Sequence, residues 1–256
     1  MTDDELLQGG VNSVLRRGEL VHRPAGRHTP TVHRLLTHLR RQGFDGAPMP
    51  VGFDDEGREV LTYVVGDVYE SLPPGVRTTA LVASAGALLR RLHDASLSYE
   101  QSAHDEWMLP PRHPAEVICH GDIAPYNSAV RRGRVVGFID FDTAHPAPRL
   151  WDVAYAVYRY APLHAPDNPE SAGSVAEQAV MASAFCHAYG VEPDELLLDT
   201  VAERLTSLMA HIRDQAASGN AAFERHVADG HLASYEADIR YVVEQRGALL
   251  REFSTL

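Results

Sequence analysis

At 256 residues, 45% of them hydrophobic and 23% charged, the chain can bury the core of one large domain or of two lobes, and bulk disorder is excluded. A formal net charge of −12 argues against a nucleic-acid partner, which needs a basic face, while leaving open a cationic ligand or plain solubility. The two cysteines, Cys119 and Cys186, make no disulfide framework or metal-type spacing. The start Met1-Thr2-Asp3-Asp4-Glu5 lacks a signal-peptide core and no segment approaches a membrane span, so a cytoplasmic protein without a membrane partner is expected. All 23 Lys+Arg residues are arginine.

Residues 9–24 read as two short strands, with Val11, Val14 and Leu15 in the first, Leu20-Val21-His22-Arg23 in the second, and Gly18-Glu19 as the turn. Thr29-Pro30 predicts a helix start, Thr29 as cap and Pro30 at the first helical position. Val32, Leu35, Leu36 and Leu39 give it an apolar stripe, and Gly43 ends it. A strand at 51–53 and a β-rich run from Glu59 to Val65 flank the polar turn Asp54-Asp55-Glu56-Gly57. After Pro73-Pro74-Gly75, Thr78 to His93 reads as a long helix with Leu81, Ala85, Leu88, Leu89 and Leu92 on one face. Short strands at 115–119 and 134–139 follow, then helices from Leu150, over 173–189, over 193–216 and from 230 to 252. Strands first and helices later predict an α+β protein of two lobes, with no internal repeat or low-complexity tract.

The segment Val117-Ile118-Cys119-His120-Gly121-Asp122 ends an apolar run in His-Gly-Asp. Four residues separate Asp122 from Asn127, and a second apolar run, Val135 to Ile139, ends in Asp140-Phe141-Asp142. An acid, an amide and a second acid at the ends of neighbouring apolar segments suit phosphoryl transfer: the first can orient a hydroxyl, the others can hold magnesium against nucleotide phosphates. Turn chemistry alone accounts for an Asp after Gly121, but not for Asn127 and Asp140 together with it.

This arrangement resembles the aminoglycoside/choline phosphotransferase superfamily, which has a two-lobed protein-kinase-like fold. The runs Leu89-Arg90-Arg91-Leu92-His93-Asp94, Arg149-Leu150-Trp151-Asp152-Val153-Ala154 and Leu61-Thr62-Tyr63-Val64-Val65-Gly66 are similar to its patterns as well. The resemblance implies a short β-rich N-lobe over residues 1–66, a hinge near 61–67 and a mainly helical C-lobe over 67–256. It implies Asp122 as catalytic base, Asn127 and Asp140 as magnesium ligands, and backbone groups of Tyr63 and Val65 against the base of ATP or GTP. His120 is expected to shape the loop. Asp142 is either a second metal or substrate contact or a turn cap, and Asp152 either ties its helix to the loop or is an early-helix acid.

The chain departs from the family on phosphate binding. Kinase-like folds place a lysine on the third strand, paired with a helix glutamate. This chain has no lysine, so Arg23 or His22 is the nearest substitute. The helix after Thr29 has no Asp or Glu through Gln42, and His33 reads as an inward group or a surface residue. Gly9-Gly10-Val11-Asn12 is a thin phosphate cradle. A subgroup with this Arg23-Pro24 strand end, the Thr29-Pro30 helix start and the turn Gly43-Phe44-Asp45-Gly46-Ala47-Pro48 is similar, and its members carry phosphotransferase or toxin-immunity labels.

The expectation is a magnesium-dependent phosphotransferase acting on a hydroxyl of a small molecule, with Arg23 on the phosphates. Glu224, Asp229, Glu236 and Asp238 are candidates for holding a cationic acceptor, or are a solvated helical face. The alternative is a kinase-like binding or immunity protein without turnover. A protein substrate is disfavoured because no activation segment follows Asp142.

Overall fold

Residues 4–8 and 13–256 are described by a computed structural model; the pair Gly9-Gly10, with Val11 and Asn12, lies outside them. The first sheet is antiparallel, its five strands in the order β1-β2-β3-β5-β4: β1 (Asp4–Gln8), β2 (Ser13–Arg17), β3 (Leu20–Arg23), β4 (Pro50–Phe53) and β5 (Glu59–Thr62). Strand β1 is additional to the expected elements. Its two acids hide its β character, but β2 faces it with arginines: Glu5 lies opposite Arg16, whose Nη1 donates to its carboxylate at 3.3 Å. The expected strand over Glu59 to Val65 stops at Thr62, where the chain leaves the sheet.

Helix α1 (Thr29–Arg41) lies between β3 and β4 in sequence. Its stripe Val32, Leu35, Leu36 and Leu39 is buried to 2% exposure or less, each side chain worth about 1.5–3 kcal/mol. Thr29 is not the cap. His28 holds that position, and the Thr29 hydroxyl accepts from the Gly26 amide behind it at 2.8 Å, closing the approach turn instead of the helix end.

The larger lobe is built on α2 (Thr79–Ser96), capped by Thr78, whose hydroxyl accepts from the Leu81 amide. Two buried serines on α2 hold the strands of the predicted catalytic loop. Ser96 Oγ accepts from the amide of Ile118 in β6 (Val117–Cys119) at 3.1 Å, and Ser84 Oγ accepts from that of Val135 in β8 (Arg134–Phe138) at 2.8 Å. The two expected strands pair with new partners, not with each other: β8 with β7 (Ser128–Arg131), and β6 with β9 (His145–Ala147). Arg132 and Gly133, at φ +51° and +71°, form the β7–β8 turn, a hairpin signal obscured by the run of arginines.

Helices α3 (Arg149–Tyr160), α4 (Val175–Tyr189), α5 (Glu195–Ala217), α6 (Ala221–Ala228) and α7 (His231–Phe253) complete the lobe; α6 is short, has no buried residue and was not expected. Asp67 exchanges backbone hydrogen bonds with Val130 at 2.8 Å each way, so β7 grips the chain that joins the lobes, and the Phe138 amide donates to Gly46 at 2.8 Å, so β8 grips the connection between α1 and β4. Gly66 has Ala129 and the Val130 nitrogen where a Cβ would stand, which fixes a glycine at this crossing. The fold is thus α+β and two-lobed, as expected. Among the described residues, no helix is long and apolar enough to cross a membrane.

Candidate active site

The loop after β6 is fixed by three separate elements. Gly121 sits at φ +86°, and a Cβ there would run into the Thr143 carbonyl, so the position requires glycine. Asp152, buried in α3, accepts from the amides of His120 and Gly121 at 2.7 and 2.8 Å and from His93 Nε2 at 3.1 Å. Burial alone would raise its pKa, but His93, His120 and the Gly121 amide hold the carboxylate ionised at about 2. His93 is anchored in turn by the Tyr189 hydroxyl at 2.7 Å. From α5, Arg204 Nη2 donates to the Gly121 carbonyl at 2.6 Å while its guanidinium lies over the Tyr155 ring. His120 is fully buried, with Nε2 on the Ile139 carbonyl at 3.0 Å and its ring against Phe141; it braces the loop. Of the two readings of Asp152, the structure gives the tie between α3 and the loop.

Asp122 projects from this frame. The Tyr126 hydroxyl donates to Asp122 Oδ1 at 2.7 Å, and Asn127 Nδ2 donates to Oδ2 at 2.8 Å and to the Asp122 carbonyl at 3.0 Å. A single 3-10 turn over Pro125–Asn127 brings both side chains back onto the acid, which is what the four-residue spacing encodes. Burial pushes the Asp122 carboxyl above its ordinary range, and the Tyr126 hydrogen bond pulls against it. Tyr155 stands 3.0 Å from the Tyr126 hydroxyl, and the Arg159 guanidinium lies over the Tyr126 ring.

Asp140, two residues past β8, has left-handed backbone, φ +63°, an uncommon conformation for a non-glycine residue that turns the chain from the strand into a 3-10 turn. Its side chain is 46% exposed. The Ile139 amide donates to the Asn127 carbonyl at 2.9 Å, so Asn127 and Asp140 are held to each other through backbone. With Nδ2 committed to Asp122, Asn127 Oδ1 takes no hydrogen bond among the described residues. Asn127, Asp140 and Asp142 thus offer the hard oxygen donors that magnesium prefers, and the donor set fits that ion.

Arg23 reaches this group from the other lobe. The residue is only 6% exposed, and its guanidinium donates from Nη1 to Asp140 Oδ1 at 2.7 Å, from Nη2 to Asp142 Oδ1, and from Nε to Glu59 Oε1 at 2.5 Å. Burial would lower its pKa, but Asp140, Asp142 and Glu59 together hold it above even the usual arginine value. His22 points elsewhere, to Asp54 at 2.8 Å. The acid expected on the helix comes instead from β5. Glu59 lies directly opposite Arg23 in the sheet and is 1% exposed, and its second oxygen meets His33 Nε2 of α1 at 2.9 Å. His33 is therefore an inward group.

Asp122, Asn127, Asp140 and Arg23 are linked through these contacts. The Tyr63 amide is already committed to the Glu19 carbonyl at 2.8 Å, and Arg16 covers its ring, which leaves that amide unavailable to a nucleotide base; Val65 is 51% exposed on the connecting chain. Asp238 is corrected as an acceptor contact. It is fully buried and saturated by the Tyr158 hydroxyl, the His164 ring, the Ala165 amide and Asn168, an anchor between α7 and the loop after α3. Glu236 pairs with Arg213 on the surface. Sequence reading passed over Glu59, Tyr126 and Arg204; the one available signal was a lone acid opening an apolar strand. A separate hollow of about 550 Å³ lies between α1, β4 and residues 98–100, and neither Asp122 nor Arg23 lines it.

The profile of a phosphotransferase enzyme family matches residues 97–198. The trifolitoxin immunity protein of Rhizobium leguminosarum bv. trifolii is 37% identical over 196 residues, which span 73% of each chain. Among solved structures, a choline/ethanolamine kinase family protein from Mesorhizobium loti superposes with a TM-score of 0.61 at 20% identity, over 97% of this chain and 92% of that one. An amicoumacin kinase, solved with AMP-PNP, calcium and its ligand, gives 0.62 at 13% identity over 88% of each chain. The GDP complex of aminoglycoside 2'-phosphotransferase-IIIa gives 0.60 at 14% identity, over 93% of this chain and 92% of that one. The likeness to these three structures is one of fold.

Proposed function

The chain belongs to the aminoglycoside/choline phosphotransferase superfamily, and from that premise we propose that it moves the γ-phosphate of ATP or GTP to a hydroxyl of a small molecule. The observation that carries the proposal is the linked set of Asp122, Asn127 and Asp140, with Arg23 arriving from the opposite lobe. We assign residues 1–66 to the nucleotide-binding lobe and 67–256 to the lobe that binds the acceptor, with the hinge at about 61–67. The cytoplasm, where ATP and magnesium are both at hand, is the compartment this reading requires.

In this mechanism Asn127 Oδ1 and the Asp140 carboxylate would hold magnesium, which when bound would neutralise charge on the nucleotide phosphates. Arg23, permanently charged, adds a second cation beside them. Asp122 accepts the proton of the acceptor hydroxyl and aims its oxygen in line with the phosphorus. Tyr126 and Asn127 fix the carboxylate so that this orientation is present before the acceptor arrives, so the rate gain comes from placement and charge and not from covalent chemistry. The hinge contributes through Val65 and the carbonyl of Tyr63.

Both nucleotides have precedent in the fold, since the amicoumacin kinase was solved with AMP-PNP and the aminoglycoside enzyme with GDP. Beside Asp122 lies Tyr126, whose hydroxyl meets that of Tyr155 and whose ring lies under Arg159, and Tyr235 also feels the Asp122 charge. We place acceptor recognition on these aromatic and arginine side chains, which suit a hydroxylated natural product better than the carboxylates expected from the sequence.

A second reading is favoured by the immunity-protein relative: binding of a nucleotide or a toxin without turnover. One experiment separates the two. The protein is supplied with magnesium, γ-labelled ATP or GTP and a panel of hydroxylated compounds, and label transfer is followed for wild type and Asp122→Asn. Transfer lost at least about a hundredfold in the variant, with nucleotide still bound, supports the enzyme. Nucleotide binding with no transfer by either protein establishes the binding role.

A further inference from the structure

Arg23 has a dedicated support that neither the motif nor the family pattern contains. It sits in β3 opposite Glu59 of β5, so the two side chains emerge on the same face of the sheet. Glu59 is as buried as the hydrophobic core, at 1% exposure. A carboxylate taken that far from water is strongly unfavourable unless each oxygen is satisfied by charge or hydrogen bonds. Both are: Oε1 accepts from Arg23 Nε, and Oε2 faces His33 Nε2. His33 is itself fixed, its ring stacked on Phe53 of β4 with centroids 5.2 Å apart. One acid therefore joins β3, β5, α1 and β4 at a single point.

The direction of the contact is what matters. Glu59 takes the Nε edge of the guanidinium, which leaves Nη1 and Nη2 as a fork pointed at Asp140 and Asp142. A guanidinium held only by its two Nη atoms could swing about its long side chain. Held at Nε by a rigid strand neighbour, it presents both Nη donors along one line, the arrangement that suits bidentate contact with phosphate.

We propose that Glu59 is the positioning residue that aims Arg23 at the nucleotide phosphates, and that His33 locks Glu59 to α1. The acid that orients the phosphate-binding cation thus comes from the adjacent strand, while the helix supplies a histidine. The proposal rests on the reading that Arg23 contacts the phosphates.

The test measures binding of magnesium ATP and of adenosine by calorimetry to wild type, Glu59→Gln, Arg23→Gln and the double variant. Glu59 touches no nucleotide in this scheme, so Glu59→Gln should weaken ATP about tenfold and leave adenosine within twofold. In the Arg23→Gln background the same change should have no further effect on ATP, because the residue it serves is gone. Equal weakening of ATP and adenosine would mean that Glu59 only stabilises the sheet, and overturns the proposal; so would unchanged ATP affinity in Glu59→Gln while Arg23→Gln loses it. Wild-type ATP affinity in Arg23→Gln would instead remove the underlying reading of Arg23. If Glu59→Gln does not fold, Glu59→Asp retains the charge but draws it back from Arg23. The same selective loss of ATP affinity is expected there, and an unselective loss or none counts against the proposal.

Discussion

A carboxylate that accepts a proton works only while ionised, so the raised pKa of Asp122 sets the acid limit of the proposed reaction. The transfer rate should rise with pH through a midpoint above the ordinary carboxylate value of about 4. Tyr126 donates to Asp122 and pulls that pKa down, so Tyr126→Phe should move the midpoint to higher pH in a pH–rate profile; an unmoved midpoint would exclude Asp122 as the titrating group. Asp152 behaves in the opposite sense. Its folded pKa, about 2, lies below the unfolded value near 3.9, so its contribution to stability is complete above about pH 4 and is lost as pH falls toward 2. That contribution is about 2 kcal/mol, and Asp152→Asn, which leaves the His120 and Gly121 amides facing a poorer acceptor, should destabilise the protein by about 3 kcal/mol in urea at neutral pH. The variant should also show a flatter stability curve between pH 4 and 2.

At the scale of the element, α2 meets α4 where Gly86 faces the Phe185 carbonyl, with no room for a Cβ. Gly86→Ala must push the helices apart, and a loss of about 1–3 kcal/mol in thermal or chemical unfolding is expected although alanine is the better helix former. The capping box of α4 gives a second measurable term: Ser174→Ala should remove about 1 kcal/mol. These helices were legible in the sequence because a stripe such as Val32, Leu35, Leu36 and Leu39 records a local period. Strands β1, β7 and β9 were not: the acids of β1 and the arginines around the β7–β8 turn mask two local hairpins, while β9, three residues of which two are His145 and Pro146, becomes a strand only by lying beside the distant β6. The site divides the same way. Asp122 and Asn127 are brought together by one local turn, so their spacing carries the geometry. Glu59 and Arg23 meet only through the register of β3 against β5, and nothing in either segment alone announces the pair. The saturation of Asp238 is likewise written in four residues between 158 and 168, far from it in sequence.

Across the whole molecule, Arg23 spans the lobes with its contacts to Asp140 and Asp142, and a ligand held between the same groups should stabilise both lobes together. Magnesium nucleotide at a hundred times its dissociation constant adds about 2.7 kcal/mol to the folded state. For a chain of this size that corresponds to a rise in melting temperature of about 5–10 °C, which chelation of magnesium should largely abolish. A shift that survives chelation would mean that Asn127 and Asp140 hold no metal. The fork that crosses between the lobes also decides how the protein meets chemical probes. Nucleotide analogues that mark kinases by acylating an amine beside the phosphates would find no lysine side chain in this sequence, and a survey built on them would pass the protein by. A dicarbonyl reagent that condenses with guanidinium is the matching probe, and Arg23, wedged among three carboxylates, should be among the last of the arginines to react.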